Sequence, residues 1–319
     1  MEVIGIDLGG TKVAGGIISS DGKIVRRNSK KIKNRSGRDV GGQIRSLIST
    51  LLADGSKNNL NIGSLGISLP GIYYSDSGRA WAPNIAGWEE YPLLEELSAE
   101  YDNLSINIDS DRAAYILGET WQGVAQGSRD AIFIAVGTGI GAGIMVDGDI
   151  LRGAHDIAGA TGWMALNRPF KKGYEKFGCF EYHASGDGLA RSAIDLIEEN
   201  QNYKGPLRKK GSRHISSYDI FREYDNNDPI AKQVIKQAIV FWGMATANFI
   251  SLFNPEIIVF GGGIFGPAER FLMEIKKEAE RWAQPIAFQE ATFATTALGE
   301  DAGLVGAGKL AYNAITKAN

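Results

Sequence analysis

The chain has 319 residues, 44% of them hydrophobic and 22% charged, with a net charge of -3 at pH 7. That length exceeds the usual single domain and predicts two, while the charge leaves no basic footprint for nucleic acid or an anionic membrane. One cysteine, Cys179, rules out an internal disulfide and a cysteine-rich structural zinc site, and His155, His183 and His214 sit at unrelated spacings that disfavour a metal held by protein nitrogen.

No apolar stretch approaches bilayer length and the first residues run straight into a strand-like segment, so a cytoplasmic protein with no membrane partner is expected. Strands are predicted over residues 2 to 8, 13 to 19 and 23 to 32, then a helix over Val40 to Leu52 from apolar residues at helical spacing. Between the first two strands lies the turn Asp7-Leu8-Gly9-Gly10-Thr11-Lys12, and Asp21-Gly22 gives a hairpin signal after the second. Leu65 to Gly71 reads as a buried strand closed by a Pro-Gly turn. The following loop, Ile72 to Trp88, is too long for a connector and has the size of a binding segment. A helix from Pro92 to about Tyr101, a strand from Leu104 to Ile108 and a helix from Ala113 to Gln122 complete this half.

The second half repeats the opening. Ala131 to Val136 leads into Gly137-Thr138-Gly139-Ile140-Gly141, a strand from Gly143 to Val146, an Asp147-Gly148 hairpin signal and a short strand from Ile150 to Arg152. A loop-rich stretch from Gly153 to about Gly178 precedes helices over Glu181 to Asn200, Ser217 to Phe221 and Pro229 to Phe253. The segment Tyr203 to Arg213, with five basic residues, reads as a solvated loop. Ile257 to Phe260 forms an apolar strand into Gly261-Gly262-Gly263, followed by a helix from about Pro267 to Trp282. The last helix, Asp301 to Ala318, opens with small residues that suit close packing against the first domain.

Two glycine-rich turns in corresponding positions point to a duplicated unit that holds phosphate. Glycine lets the backbone adopt positive φ and bring several N–H groups against a polyanion, while Thr11 and Thr138 add hydroxyls and Lys12 a cation. Neither turn has the Gly-Lys-Ser/Thr of a Walker loop, and neither opens directly into a helix as a dinucleotide fingerprint does.

The chain resembles the ROK family (repressors, open reading frames, kinases). The resemblance runs through Asp7-Leu8-Gly9-Gly10-Thr11-Lys12, Leu69-Pro70-Gly71, Ala82-Pro83-Asn84-Ile85-Ala86-Gly87-Trp88, Ser110-Asp111 before Gly118-Glu119, and Gly137-Thr138-Gly139-Ile140-Gly141. It continues with Gly178-Cys179-Phe180-Glu181, Asn254-Pro255-Glu256, Gly261-Gly262-Gly263 and Ala302-Gly303-Leu304-Val305-Gly306-Ala307. The resemblance implies an α/β, duplicated actin-like (ribonuclease H-like) two-domain fold with a central cleft. The smaller domain would span 1–115 plus about 302–319 and the larger 116–301. It implies an ATP-dependent hexose kinase, with Mg²⁺, acting on a sugar hydroxyl, O6 first among them, and a homodimer through the larger domain.

Phosphoryl transfer to a sugar needs phosphate positioning, a divalent cation and a base near the acceptor. By resemblance, Gly9, Gly10, Thr11, Lys12, Gly137, Thr138 and Gly139 serve the phosphates, and Gly261, Gly262 and Gly263 admit the adenosine. Asp7, at the end of the first strand, is placed to hold Mg²⁺ through water. Asp111 aligns with the family's catalytic aspartate as general base, with Asp109 the competing candidate and an N-cap for the following helix the structural alternative. Gly71, Asn84, Ser110, Asp111 and Glu181 fall on sugar-contacting positions, Ser110 standing where the family has asparagine.

Two departures mark the sugar half. Gly159-Ala160-Thr161-Gly162-Trp163 replaces the family's Gly-Glu-x-Gly-His, and Lys172 and Tyr174 stand at positions of two of its three zinc-binding cysteines. No zinc is expected, and Cys179 reads as a buried thiol. An indole at Trp163 suits a substituted sugar whose O1 is already blocked, unless His155, Asp156 or Asn167 takes over the missing contacts. Two rivals stay open: a repressor of the same family, disfavoured because the first turn begins near residue 4, and a catalytically idle sugar-binding member.

Overall fold

The computed structural model describes residues 1–32 and 35–317; Ala318, the expected end of the last helix, lies outside the described residues. The chain opens with β1 (Glu2–Leu8), β2 (Lys12–Ile18), β3 (Ile24–Lys31), α1 (Gly37–Lys57), β4 (Ile62–Leu69), β5 (Ile72–Tyr74), β6 (Arg79–Trp81), α2 (Leu93–Glu100), β7 (Ser105–Ser110) and α3 (Asp111–Gln122). It continues with β8 (Ala131–Val136), β9 (Ile140–Val146), β10 (Asp149–Ile150), α4 (Tyr174–Phe177), α5 (Cys179–Ala184), α6 (Gly186–Glu199), α7 (Pro206–Lys210), α8 (Ser217–Asp225) and α9 (Pro229–Phe253). The last elements are β11 (Ile257–Gly261), α10 (Leu272–Glu280), α11 (Pro285–Glu290), β12 (Thr292–Thr295) and α12 (Ala302–Lys317).

Several expectations need correction. The stretch from Tyr203 to Arg213 is not a solvated loop. Pro206 starts α7, Leu207 is buried beneath it, and the buried Tyr203 hydroxyl donates to Asp228 at 2.7 Å. Two apolar anchors thus outweigh the basic residues around them. The single helix expected over Glu181 to Asn200 breaks at Ser185, whose Oγ accepts the Gly188 N–H at 2.9 Å and caps α6. The helix expected from Pro267 starts only at Leu272, after a short 3₁₀ turn, and β12 escaped notice as a four-residue strand.

Contacts divide the chain into two compact units, one of residues 1–128, 149–158 and 296–319, the other of 129–148 and 159–295. The boundary expected between 115 and 116 falls inside α3, which stays whole in the first unit. The cause is its tight packing on α12. A Cβ on Gly306 would lie 1.7 Å from the Ala114 carbonyl oxygen, and one on Gly118 2.6 Å from that of Ala302. The small residues of α12 also admit β4, since a Cβ on Gly66 would meet the Ala307 carbonyl at 1.9 Å. This is the brace read from composition.

In the first unit the sheet order is β3-β2-β1-β4-β7, with β1 antiparallel to β2 and parallel to β4, and β4 parallel to β7. In the second unit β9-β8-β11-β12 repeats the order and sense of β2-β1-β4-β7. The duplication inferred from the glycine turns is therefore one of whole sheets. In the first unit Ile4, Ile6, Leu65 and Ile67 bury the central strands; in the second Ile132, Ile134, Ile258 and Phe260 do so. Both glycine turns leave from the ends of such strands and are held by rigid backbone behind them.

Candidate active site

In the first unit three aspartates lie at the ends of β1 and β7, and Asp7 and Asp111 act on each other electrostatically. Asp7, partly exposed near the end of β1, accepts a 2.8 Å hydrogen bond from the buried Ser68 hydroxyl on β4. Burial raises its pKa, against the hydrogen bond from Ser68 and the charges of Lys12 and Arg27. The turn after it closes through Gly9 N–H donating to the Lys12 carbonyl at 2.9 Å, and Gly10, Thr11 and Lys12 are exposed. The Lys12 ammonium pairs with Glu300 at 3.1 Å.

The two competing aspartates differ in what holds them. Asp109 is buried with both oxygens engaged: Oδ1 accepts the Ser110 N–H at 2.8 Å, and Oδ2 accepts Arg152 Nε at 2.9 Å and Nη2 at 2.5 Å. Asp111 opens α3 directly after β7. Its N-cap is Ser110, whose Oγ accepts the Ala113 N–H at 3.3 Å, so Asp111 itself is not the cap. Its Oδ1 accepts the Arg112 N–H at 2.8 Å, and Tyr115, one helical turn on, hydrogen-bonds the carboxyl. Desolvation by burial pushes its pKa up to about 6; Arg112 opposes this and Asp7 reinforces it. Such a carboxyl is a stronger base than a solvated one and still ionised at neutral pH.

Around this cluster stand the expected sugar positions of the first unit. Gly71 follows β4 so closely under β6 that a Cβ would lie 2.0 Å from the Trp81 carbonyl, and its own carbonyl accepts from Arg112 Nη2 at 3.4 Å. Asn84 is exposed on a turn anchored by buried Ala82, Ile85 and Trp88, the last stacked on Tyr91 at 4.3 Å. Its Cβ lies 3.9 Å from the place a Cβ on Gly10 would occupy, which sets it beside the first glycine turn. Arg112, Tyr115 and Arg152 were not singled out from the sequence. For Tyr115 a signal existed: it stands four residues after Asp111 on one helix face.

In the second unit Gly137, Thr138 and Gly263 line one cavity of about 470 Å³ together with Asp187, Ile215 and Tyr218. Backbone builds its floor. Gly137 N–H donates to the Gly139 carbonyl at 2.9 Å, and the Gly137 carbonyl accepts from Gly186 N–H at 2.8 Å at the start of α6. Gly261 is backed by Phe133, and Gly262 takes φ +88° with no room for a side chain, since a Cβ would lie 2.5 Å from the Val136 carbonyl. The apolar walls, α8 start and exposed glycine turn suit a planar base and its phosphates. Asp187, Ile215 and Tyr218 carried no sequence signal, because their meeting depends on how α6, α8 and the loop after β11 pack.

Glu181 sits on α5, partly buried. Its Oε2 accepts the Ile140 N–H at 2.8 Å, tying this carboxylate to the second glycine turn, and burial raises its pKa. Nearby, Cys179 is buried within an aromatic cluster in which the Tyr174 hydroxyl bonds His183 Nε2 at 2.7 Å and His183 stacks on Phe241 at 4.5 Å. Tyr174, His183 and Phe241 are thus engaged with one another. Among the described residues no group of three metal-binding side chains converges, and no helix is long and apolar enough to cross a membrane. A second cavity, of about 330 Å³ beside His183, Lys171 and Asp195, is lined by Asn167 but by none of the residues expected to hold phosphate or to act as base. Of the substitutes considered for the missing sugar contacts, Asp156 is engaged by the Ser75 N–H and hydroxyl, both at 2.9 Å, and Asn167 caps Arg168 N–H.

The model of the ROK family matches residues 3–314. A glucokinase of Halalkalibacterium halodurans is 30% identical over 324 residues, covering 99% of this chain and 97% of that protein. A beta-glucoside kinase of Listeria monocytogenes is 28% identical over 310 residues, covering 96% of each. Among solved structures, a ROK family glucokinase from Streptomyces griseus in complex with glucose and AMPPNP superposes with a TM-score of 0.74 at 28% identity, covering 98% of this chain and all of that one.

Proposed function

The chain belongs to the ROK family, and from that premise we propose that it is an ATP-dependent sugar kinase that phosphorylates a hexose-type hydroxyl, O6 first among the candidates. The observation that carries the reading is Asp111. It is a carboxyl at the junction of β7 and α3, its pKa pushed up to about 6 by burial, held by Arg112 N–H and Tyr115 while its neighbour Asp109 is held by Arg152. Kinase and glucokinase names among the relatives support the same class.

In this reading the acceptor hydroxyl gives its proton to Asp111 as its oxygen attacks the γ-phosphorus. The bond from the γ-phosphorus to the bridging oxygen breaks, ADP leaves, and the sugar phosphate carries the new P–O bond. Gly71, Asn84, the Ser110 hydroxyl proton and Glu181 Oε1 are the groups assigned to the sugar. The cavity with Gly137, Thr138 and Gly263 takes the nucleoside end of ATP, its apolar walls receiving the base. Asp7, at the mouth of the first glycine turn, would hold a Mg²⁺ ion through water with its hard carboxylate oxygen, and the ion would supply neutralisation of phosphate charge. Transfer requires donor and acceptor held together away from water, which would otherwise take the phosphoryl group.

The test is ADP release against a panel of hexoses, hexosamines and glycosides, with Asp111→Asn as control. Turnover on at least one sugar that collapses in Asp111→Asn is expected. Sugar binding with no turnover on any acceptor would instead assign the chain to a catalytically idle, sugar-binding role.

A further inference from the structure

The cations that act on the aspartates of the first unit are Lys12 and Arg27 on Asp7, Arg152 on Asp109 and Arg112 on Asp111. All but one have a carboxylate of their own. Lys12 pairs with Glu300 at 3.1 Å, Arg27 pairs with Asp301, and Arg152 gives both Nε and Nη2 to Asp109. Arg112 is the exception. Among the described residues its guanidinium enters no ion pair and makes a single hydrogen bond, from Nη2 to the Gly71 carbonyl at 3.4 Å, which is long for an N–H donor. Asp111 feels the charge of that side chain through space.

The surroundings of this guanidinium are held in place. Arg112 is the second residue of α3, and its backbone N–H is tied to Asp111 Oδ1 at 2.8 Å. Gly71 is wedged against the Trp81 carbonyl, which a Cβ would approach to 2.0 Å, so the loop that carries its own carbonyl has no room to move that way. The contact with Gly71 sets the guanidinium among the groups assigned to the acceptor, whereas the first glycine turn carries its own cation, Lys12. A half-buried fork of N–H donors with one long contact is short of acceptors. A neutral sugar hydroxyl takes one of those donors and leaves the charge without a counter-charge. A carboxylate or phosphate takes two in parallel, and hydrogen bonds between charged partners are about twice as strong as neutral ones.

We infer that Arg112 is the binding site for an anionic group on the acceptor, and that the substrate class is an acidic hexose derivative, one that carries a carboxylate or phosphate besides the hydroxyl that is phosphorylated. The inference rests on the kinase reading above, in which Asp111 is the base and Gly71 lies at the sugar. Its experiment measures kcat/KM from ADP release with glucose, glucuronate, gluconate and glucose 1-phosphate in the wild type, Arg112→Ala and Arg112→Lys, alongside calorimetric titration of each sugar into each protein. The carboxylate and phosphate members tell the two oxyanions apart. Rates are taken at about pH 8, because removing the Arg112 charge raises the Asp111 pKa further and the base must be ionised in every variant.

The wild type should favour at least one acidic sugar over glucose by about tenfold or more, and Arg112→Ala should lower the value for that sugar about tenfold or more while glucose falls far less. Arg112→Lys, which keeps the charge without the fork, should recover part of the loss. Preference for glucose over every acidic sugar, or an acidic-sugar preference that survives Arg112→Ala, overturns the inference. An equal loss of kcat on every acceptor with an unchanged thermal midpoint also overturns it, and assigns the guanidinium to the phosphoryl group in transfer. If Arg112→Ala melts early, Arg112→Lys carries the test through the ratio of acidic sugar to glucose within one protein. If no sugar is phosphorylated the kinase reading falls, and the titration still decides: acidic-sugar binding that weakens in Arg112→Ala upholds the anion site, and unchanged or absent binding removes it.

Discussion

The two units carry sheets of the same order and sense, yet the candidate functional residues of each are made of different material. The first unit gathers charged side chains: Asp7, Asp109 and Asp111, with Arg112 and Arg152 against them. The second shapes a cavity from backbone and apolar walls, with Gly137, Gly186 and Gly263 lining it and Gly262 just before Gly263. Electrostatic sites can be switched off by changing one atom while the fold stays put. A crowded backbone position such as Gly262 cannot, because an added Cβ would meet the main chain at Val136.

The largest effect should therefore come from an isosteric change in the first unit. Asp111→Asn keeps shape and helix position but removes the base, and should reduce kcat by about 10²–10⁴-fold. Sugar affinity, measured by titration, should stay within a few-fold of the wild type. If affinity fell as far as kcat, Asp111 would be a binding group and the contrast between the units would weaken.

Next comes a paired substitution in the second unit. Gly262→Ala forces a side chain into φ +88° and 2.5 Å from the Val136 carbonyl, and should cost about 2 kcal/mol or more of stability in chemical denaturation. Gly263→Ala, where a Cβ meets nothing within 4 Å, should fold normally and act, if at all, on the KM for ATP. Equal destabilisation by both would mean that local backbone strain is not what builds this half.

How far the sequence revealed each half follows the same division. The glycine turns and Asp111 were legible because both chemistries leave local marks: a run of glycines, and a carboxylate between a strand and a helix. The brace of α12 was legible too, since Gly303, Gly306 and Gly308 announce close packing. Arg152 was not. It reaches Asp109 from 43 residues away, a meeting that no local pattern encodes. Asp187, Ile215 and Tyr218 share a cavity for the same tertiary reason. The stretch from Tyr203 to Arg213 misled because its charges outnumber the two residues, Tyr203 and Leu207, that bury it. Burial of two apolar side chains is worth several kcal/mol, whereas solvated charges on a helix surface cost little.

A third effect, smaller than the first two, concerns the working pH. With Asp111 lifted to about 6, kcat/KM should climb roughly tenfold per pH unit below 6 and level off above it, provided Asp111 is the base. A limb near pH 4 would instead indicate a solvated carboxylate.

The smallest effects should appear in stability, and here the two units pull in opposite directions. Asp111 has a folded pKa of about 6 against an ordinary 3.8, so the folded state binds its proton more tightly and stability from this group is lost as pH rises from 3.8 through about 6. His183, in the second unit, is pushed by burial from 6.5 down to about 4, so its neutral form is the folded one and stability is lost as pH falls from 6.5 toward 4. Between pH 7 and 5 each contribution is on the order of 1–2 kcal/mol, and the signs oppose. Thermal midpoints should therefore separate them. Asp111→Asn should gain on the wild type as pH is raised across this window, while His183→Gln should gain on it as pH is lowered. If both differences ran the same way, one of the two groups would not be buried as described, and the electrostatic contrast between the units would fail at that residue.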